Sequence, residues 1–173
     1  VSGSMQGEPI AALERGFAAF TDYLRNETLA SKRVEVAVVT FGTAATVLVP
    51  MQEARSLQPA AFTASGTTNM AAGIHLALDI IEDRKHAYKA AGLQYYRPWI
   101  LVLTDGKPNI DGFNEAVVRL NQAEISRGVT VFAVGTGARV DYQRLALLSV
   151  QRSPAPLEGL KYEALFEWLS ASL

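Results

Sequence analysis

The sequence predicts an α/β domain: a doubly wound, mostly parallel sheet with one antiparallel edge strand and helices on both faces. Three observations predict it. Strand-like and helix-like segments alternate along the chain, which is the pattern of a sheet crossed over by helices. The runs VEVAVVTFG (Val34 to Gly42), PWILVLTDG (Pro98 to Gly106) and VTVFAVGTG (Val129 to Gly137) are rich in β-branched and apolar residues, as strands covered on both faces are. The turn Gly42-Thr43 that joins the first run to AATVLVPM is too short for a parallel crossover. That second strand is therefore antiparallel, and Pro50 suits an edge position.

The elements follow in order. From Pro9 to about Leu24 the apolar residues Ile10, Leu13, Phe17, Phe20 and Leu24 recur at helical spacing, with Pro9 fitting a first turn. After the two antiparallel strands, a Gly/Thr turn opens a long helix with Met70, Ile74, Leu78 and Ile81 on one face. The strand Pro98 to Gly106 ends in an acid and a glycine. A helix from about Phe113 to Ser126 is closed by Gly128. Val129 to Gly137 is the next strand, followed by a short helix near Asp141 to Leu148. A short strand near Ala155 to Leu157 precedes a closing amphipathic helix carrying Tyr162, Leu165, Phe166 and Leu169.

Composition narrows the function classes. At 173 residues, 49% hydrophobic and 19% charged, the chain suits one globular domain with its own core. Sixteen basic and seventeen acidic residues leave a net charge of −1, so no global field draws it to nucleic acid or to an anionic membrane. The absence of cysteine excludes disulfides and thiolate metal sites and suits a reducing compartment, so a cytoplasmic location is expected. No apolar run approaches the length of a membrane span.

In doubly wound sheets, ligand sites form at the carboxyl ends of strands. Three separate segments bring candidates there. Ser2 and Ser4 precede the first helix, Thr67 and Thr68 precede the long helix, and Asp105 ends a strand. Each alone is ordinary: a serine or threonine before a helix is a capping residue, and Asp-Gly after a strand is a common turn. Together they are an oxygen-only and mostly neutral donor set, which describes a hard divalent ion such as Mg²⁺ (or Mn²⁺ or Ca²⁺) and not zinc.

VSGSM, SGTTNMAAGI and LTDGKP, in this order and at these separations, resemble the von Willebrand factor A domain with its metal-ion-dependent adhesion site, a Rossmann-like fold. The resemblance covers essentially the whole chain, 1–173, as a single domain. It implies that Ser2, Ser4, Thr68 and Asp105 hold the ion and that an acidic side chain of a protein partner completes its shell. It implies binding and not turnover, and the charge balance and lack of an apolar span argue against nucleic acid or membrane as partner. The family's first aspartate should stand immediately before Val1, at the end of a central strand. Such a strand contributes about 1.5–3 kcal/mol per buried side chain, so the given sequence is expected to be a truncated view of the native chain. The closing WLSASL and compact length look most like the bacterial tellurite-resistance-associated, stress-response type.

Two other readings stay open at this stage: a Mg²⁺-dependent enzyme acting on phosphorylated substrates, with Asp105 as ligand but with no nucleophile, general base or phosphate-clamping Lys/Arg pair unless Lys107 serves, and a scaffold whose metal site has decayed. GTGARV (Gly135 to Val140) imitates a dinucleotide fingerprint, but Val140 takes the third-glycine position, and a sharp strand-to-helix turn explains it. His75, Asp79, Glu82 and His86 fall on one helical stripe and read as a solvated face. Tyr95, Tyr96 and Trp99 read as packing at a strand entry.

Overall fold

The computed structural model describes residues 5–64, 66–109, 111–137, 139–159 and 161–172. The expected strands are all present, but they divide into two sheets. Helix α1 (Glu8–Asn26) and the single turn α2 (Ala30–Arg33) precede β1 (Glu35–Phe41) and β2 (Ala45–Glu53), which pair antiparallel. Helix α3 (Met70–Ala90) leads to β3 (Trp99–Thr104), α4 (Phe113–Ile125) and β4 (Thr130–Thr136). A turn of helix α5 (Tyr142–Leu145), the short strand β5 (Ala155–Leu157) and α6 (Tyr162–Ala171) complete the chain. Strands β3, β4 and β5 form a parallel sheet in that order.

Helix α1 forms where the apolar period predicts it, and Leu13, Phe17, Phe20 and Leu24 are all buried. Gly7, with φ of 84°, makes the left-handed entry, and Pro9 sits in the first turn, where its missing N–H costs nothing. The helix packs on α6 through Gly16: a Cβ there would lie 2.9 Å from the backbone of Tyr162. Around this contact, Phe166 meets Phe17 and Phe20 at ring distances of 6.1 and 5.2 Å, and Phe62 meets Phe17 edge-on at 5.7 Å. Glu14 accepts the Phe62 N–H at 2.8 Å, which ties the loop before α3 onto α1.

A second core lies against the other face, where Ile74, Leu78 and Ile81 of α3 and Ala116 and Leu120 of α4 cover Ile100, Val102, Val131 and Ala133. The two cores sandwich the parallel sheet, as the predicted fold class requires.

Between the sheets lies a cavity of 1510 Å³, lined by Val34 to Phe41 on one side and Trp99 to Asp105 on the other. Among the described residues no strand pairs with β1 on the side away from β2, or with β3 on the side away from β4. The expectation that Val34 to Gly42 is covered on both faces is therefore met in part: every residue of β1 is half-buried.

Smaller differences have local causes. The turn α2 escapes sequence periodicity because four residues cannot display one; Glu27 builds it by accepting the N–H groups of Leu29 and Ala30 at 2.7 and 2.6 Å. Tyr95 stacks on Tyr88 and Trp99 packs on Phe132, but Tyr96 is 87% exposed and takes no part in strand-entry packing. The stripe on α3 is a largely solvated face, as expected, with the Asp79 and Glu82 side chains 58% and 53% exposed. Arg119 of α4 spans Asp79 and Glu82 at 2.7 and 3.1 Å and also reaches the His75 carbonyl.

Candidate metal-binding site

Three loops meet at the carboxyl end of β3. The loop before α3 turns at Gly66, whose φ is 72° and whose Cβ would fall 2.2 Å from the Thr43 hydroxyl, so glycine is required there on both counts. Asn69 donates its N–H to the Gly42 carbonyl at 2.8 Å, which fastens this loop to the β1–β2 turn. The N-cap of α3 is Asn69, accepting from Ala72 at 3.1 Å, and not Thr67 or Thr68 as the capping reading of those residues has it. Thr68 is released from that duty, and its side chain is nearly buried.

The β3–α4 loop is stitched to the same place. Asn109 donates its N–H to the Thr68 carbonyl at 2.9 Å and its amide to the Thr67 hydroxyl at 3.4 Å. The Asp105-Gly106 turn passes close to Thr68, because a Cβ on Gly106 would lie 3.6 Å from the Thr68 hydroxyl oxygen. Thr104, buried at the end of β3, accepts the Gly106 N–H. Thr68 and Asp105, 37 residues apart in number, thus stand together. The Asp105 side chain is 12% exposed.

Ser2 and Ser4 lie outside the described residues. The chain next to them is placed, however. Met5 is buried against Tyr162, whose hydroxyl lies 3.8 Å from its sulfur, and Gln6 donates to the Ala64 carbonyl at 3.3 Å, two residues before Gly66. Burial pushes the Tyr162 phenol up, a hydrogen bond with Thr136 opposes this, and the Asp105 carboxylate pushes it further up. The start of α1, the Thr68 loop and the end of β3 therefore converge.

The donors present, a hydroxyl on Thr68 and a carboxylate on Asp105, are oxygen ligands suited to a hard cation. Among the described residues, no group of three or more His, Asp and Glu is placed to hold a metal ion, at this site or along the α3 stripe. Lys107 is exposed beside the site. The site also has a neighbour the motif reading passed over. Arg139 places its guanidinium 4.0 Å from the Asp105 carboxylate. It belongs to GTGARV, where Gly135 is required because a Cβ would lie 2.7 Å from Val140 and 2.9 Å from the Tyr142 hydroxyl. The run that imitates a dinucleotide fingerprint is thus a packed turn delivering a cation to the site.

Comparison with known proteins bears on the family. The von Willebrand factor type A domain profile matches residues 1–157. No curated protein sequence matches the chain. Among solved structures, a von Willebrand factor type A protein from Catenulispora acidiphila superposes with a TM-score of 0.72 at 20% identity, over 98% of this chain and 40% of that one. Proximal thread matrix protein 1 from the mussel byssus, with a zinc-occupied metal-ion-dependent adhesion site, gives 0.62 at 17% identity over 98% and 44%. The ArnB paralog VWA2 from Sulfolobus acidocaldarius gives 0.60 at 16% over 98% and 41%. The chain thus spans about two-fifths of the length of these structures. Among the described residues, no helix is long and apolar enough to cross a membrane. With its profile match, its α/β architecture and its helix-covered sheet, the chain belongs to the von Willebrand factor type A family, whose domains are generally protein-interaction modules.

Proposed function

We propose that this domain is a metal-dependent protein-interaction module. In this reading Ser2, Ser4, Thr68 and Asp105 would hold Mg²⁺ or a related divalent ion, and an acidic side chain of a protein partner would complete the site. The observation that carries it is the convergence of Met5–Gln6, of Ala64 with Gly66–Thr68, and of Asp105–Asn109, which sequence places far apart. When bound, the cation supplies a concentrated positive charge that attracts a carboxylate poorly screened by water. The protein's part is to present few directly bound charges, so that this attraction is not spent on its own residues. Thr68, held by Asn109, orients a neutral oxygen, and Asp105 supplies the negative charge that draws the ion in.

The same reading gives the cavity an occupant. An apolar strand lying between β1 and β3 would join the two sheets and end beside Asp105 and Thr136, which line the cavity's far end. It would deliver the site's first aspartate there. A place in a bacterial stress or tellurite response extends the same resemblance to the process served.

The test is titration calorimetry of the intact protein with Mn²⁺ and Mg²⁺, followed by a glutamate-containing peptide with and without chelator. Asp105→Ala is expected to lower ion affinity at least tenfold and to abolish chelator-sensitive peptide binding. Peptide binding that is indifferent to chelator would reject the mechanism.

A further inference from the structure

The contact between Arg139 and Asp105 has an unusual balance. The carboxylate is 12% exposed, while the guanidinium side chain beside it is 71% exposed, at a separation of 4.0 Å. A carboxylate so covered has lost much of its hydration and gains from a neighbouring cation. Arg139 supplies one from a distance at the outer limit of ion pairing, where the attraction persists without a close hydrogen bond. The residue after it is anchored. Val140 packs against the core, and Tyr142 donates its hydroxyl to the Gly135 carbonyl at 3.1 Å, which keeps Arg139 near the end of β4. The side chain itself is long and solvated, so it can swing about that fixed point.

We propose that Arg139 is a specificity residue of the candidate site: it neutralises Asp105 in the ion-free protein and, once a cation occupies that carboxylate, turns its donors to an acidic segment of the partner. The inference rests on the metal-dependent reading of the site. Its chemistry follows from two facts. A divalent ion and a guanidinium compete for one carboxylate and repel one another, so the resident arginine weakens ion binding. A guanidinium displaced to the rim of the groove keeps its planar fork of N–H donors, which matches a carboxylate in two-point contact. The partner this geometry fits is therefore a segment with two acidic groups, one for the ion and one for Arg139.

The two roles give effects of opposite sign, which a purely structural residue would not. In the intact protein, Arg139→Gln is expected to bind Mn²⁺ about two- to fivefold more tightly by calorimetry, the range of an exposed ion pair. With Mn²⁺ saturating, the same variant is expected to bind a synthetic peptide containing two glutamates about tenfold more weakly, while a peptide with one glutamate is unaffected. Arg139→Lys, which keeps the charge and loses the fork, should leave Mn²⁺ affinity near wild type and recover little of the two-glutamate preference. The side chain is mostly solvated, so thermal unfolding of both variants should match wild type. Unchanged or weaker Mn²⁺ binding in Arg139→Gln, alongside loss of binding in Asp105→Ala, overturns the role of Arg139 and leaves the metal site standing. No Mn²⁺ binding by the wild type overturns both.

Discussion

Strands β1 and β4 look alike in sequence and differ in the structure. Both are seven-residue, largely apolar runs, with three valines in β1 and two in β4. Six of the seven residues of β4 are buried, whereas none of β1 is. The reason lies at their edges and not in their composition. β4 has β3 on one side and β5 on the other, with helices over both faces. β1 pairs with β2 on one side and lines the cavity on the other. Apolar sequence thus specifies what a strand can bury, while its neighbours decide how much of it is buried.

The acids beside these strands sharpen the contrast. Glu124, at the end of α4, is 1% exposed and holds the start of β4. Its carboxylate accepts the Val131 N–H at 3.3 Å, the Val150 N–H at 2.8 Å and the Ser149 hydroxyl at 2.9 Å, with the Arg152 guanidinium 3.6 Å away. Removing it strands buried donors and leaves a void. Glu124→Ala is expected to destabilise the domain by about 3–5 kcal/mol, measured by denaturant unfolding. A loss below about 1 kcal/mol would show that β4 is not held from this end.

At the other end of β4, the expected effect is intermediate. Gly135→Ala places a methyl 2.7 Å from Val140, a side chain itself packed on the core, so the turn leading into α5 must shift. The expected loss is about 1–3 kcal/mol. Because that turn carries Arg139, ion affinity should change as well, whereas Glu124→Ala, far along the strand, should leave it alone in the protein that remains folded.

The difference between the strands also explains which features the sequence makes legible. Helix α1, the long helix α3 and the antiparallel turn at Gly42-Thr43 follow from local rules of period, proline placement and loop length, and the structure shows each. The pairing of Thr68 with Asp105 was readable because SGTTNM and LTDGKP are short motifs whose separation resembles a known pattern. Glu124 was not readable: a lone acid near a helix end looks solvent-facing, and its partners come from Val131, Ser149 and Val150, which the fold alone brings near. Arg139 was hidden for the same reason, since its carboxylate partner is 34 positions away and the surrounding glycines suggested a nucleotide turn.

The smallest expected effect belongs to Glu35, the first residue of β1, and it bears on whether that strand is held at its start as β4 is. Arg84 of α3 grips the Glu35 carboxylate through two of its nitrogens, and Tyr88 donates its hydroxyl at 2.5 Å. These contacts differ from those of Glu124 in that the Glu35 side chain is itself 13% exposed, against 1% for Glu124, so water reaches the pair and screens the attraction. The hydrogen bond from Arg84 holds the Glu35 carboxyl below its ordinary value of 4.5, against the opposing effect of burial and with help from Tyr88. A carboxyl with a lowered folded pKa adds stability that is fully present above the ordinary value and lost as pH falls through the folded one. Glu35→Gln keeps the shape and one acceptor while removing the charge, so it should cost about 1 kcal/mol near neutral pH. The gap between wild type and variant should stay constant down to about pH 5, narrow below 4.5 and close at still lower pH. A gap that persists at pH 2 would mean that shape and hydrogen bonding, and not charge, secure this end of β1. A gap as large as that for Glu124→Ala would mean that β1, despite its half-exposed face, is anchored as firmly as the buried strand.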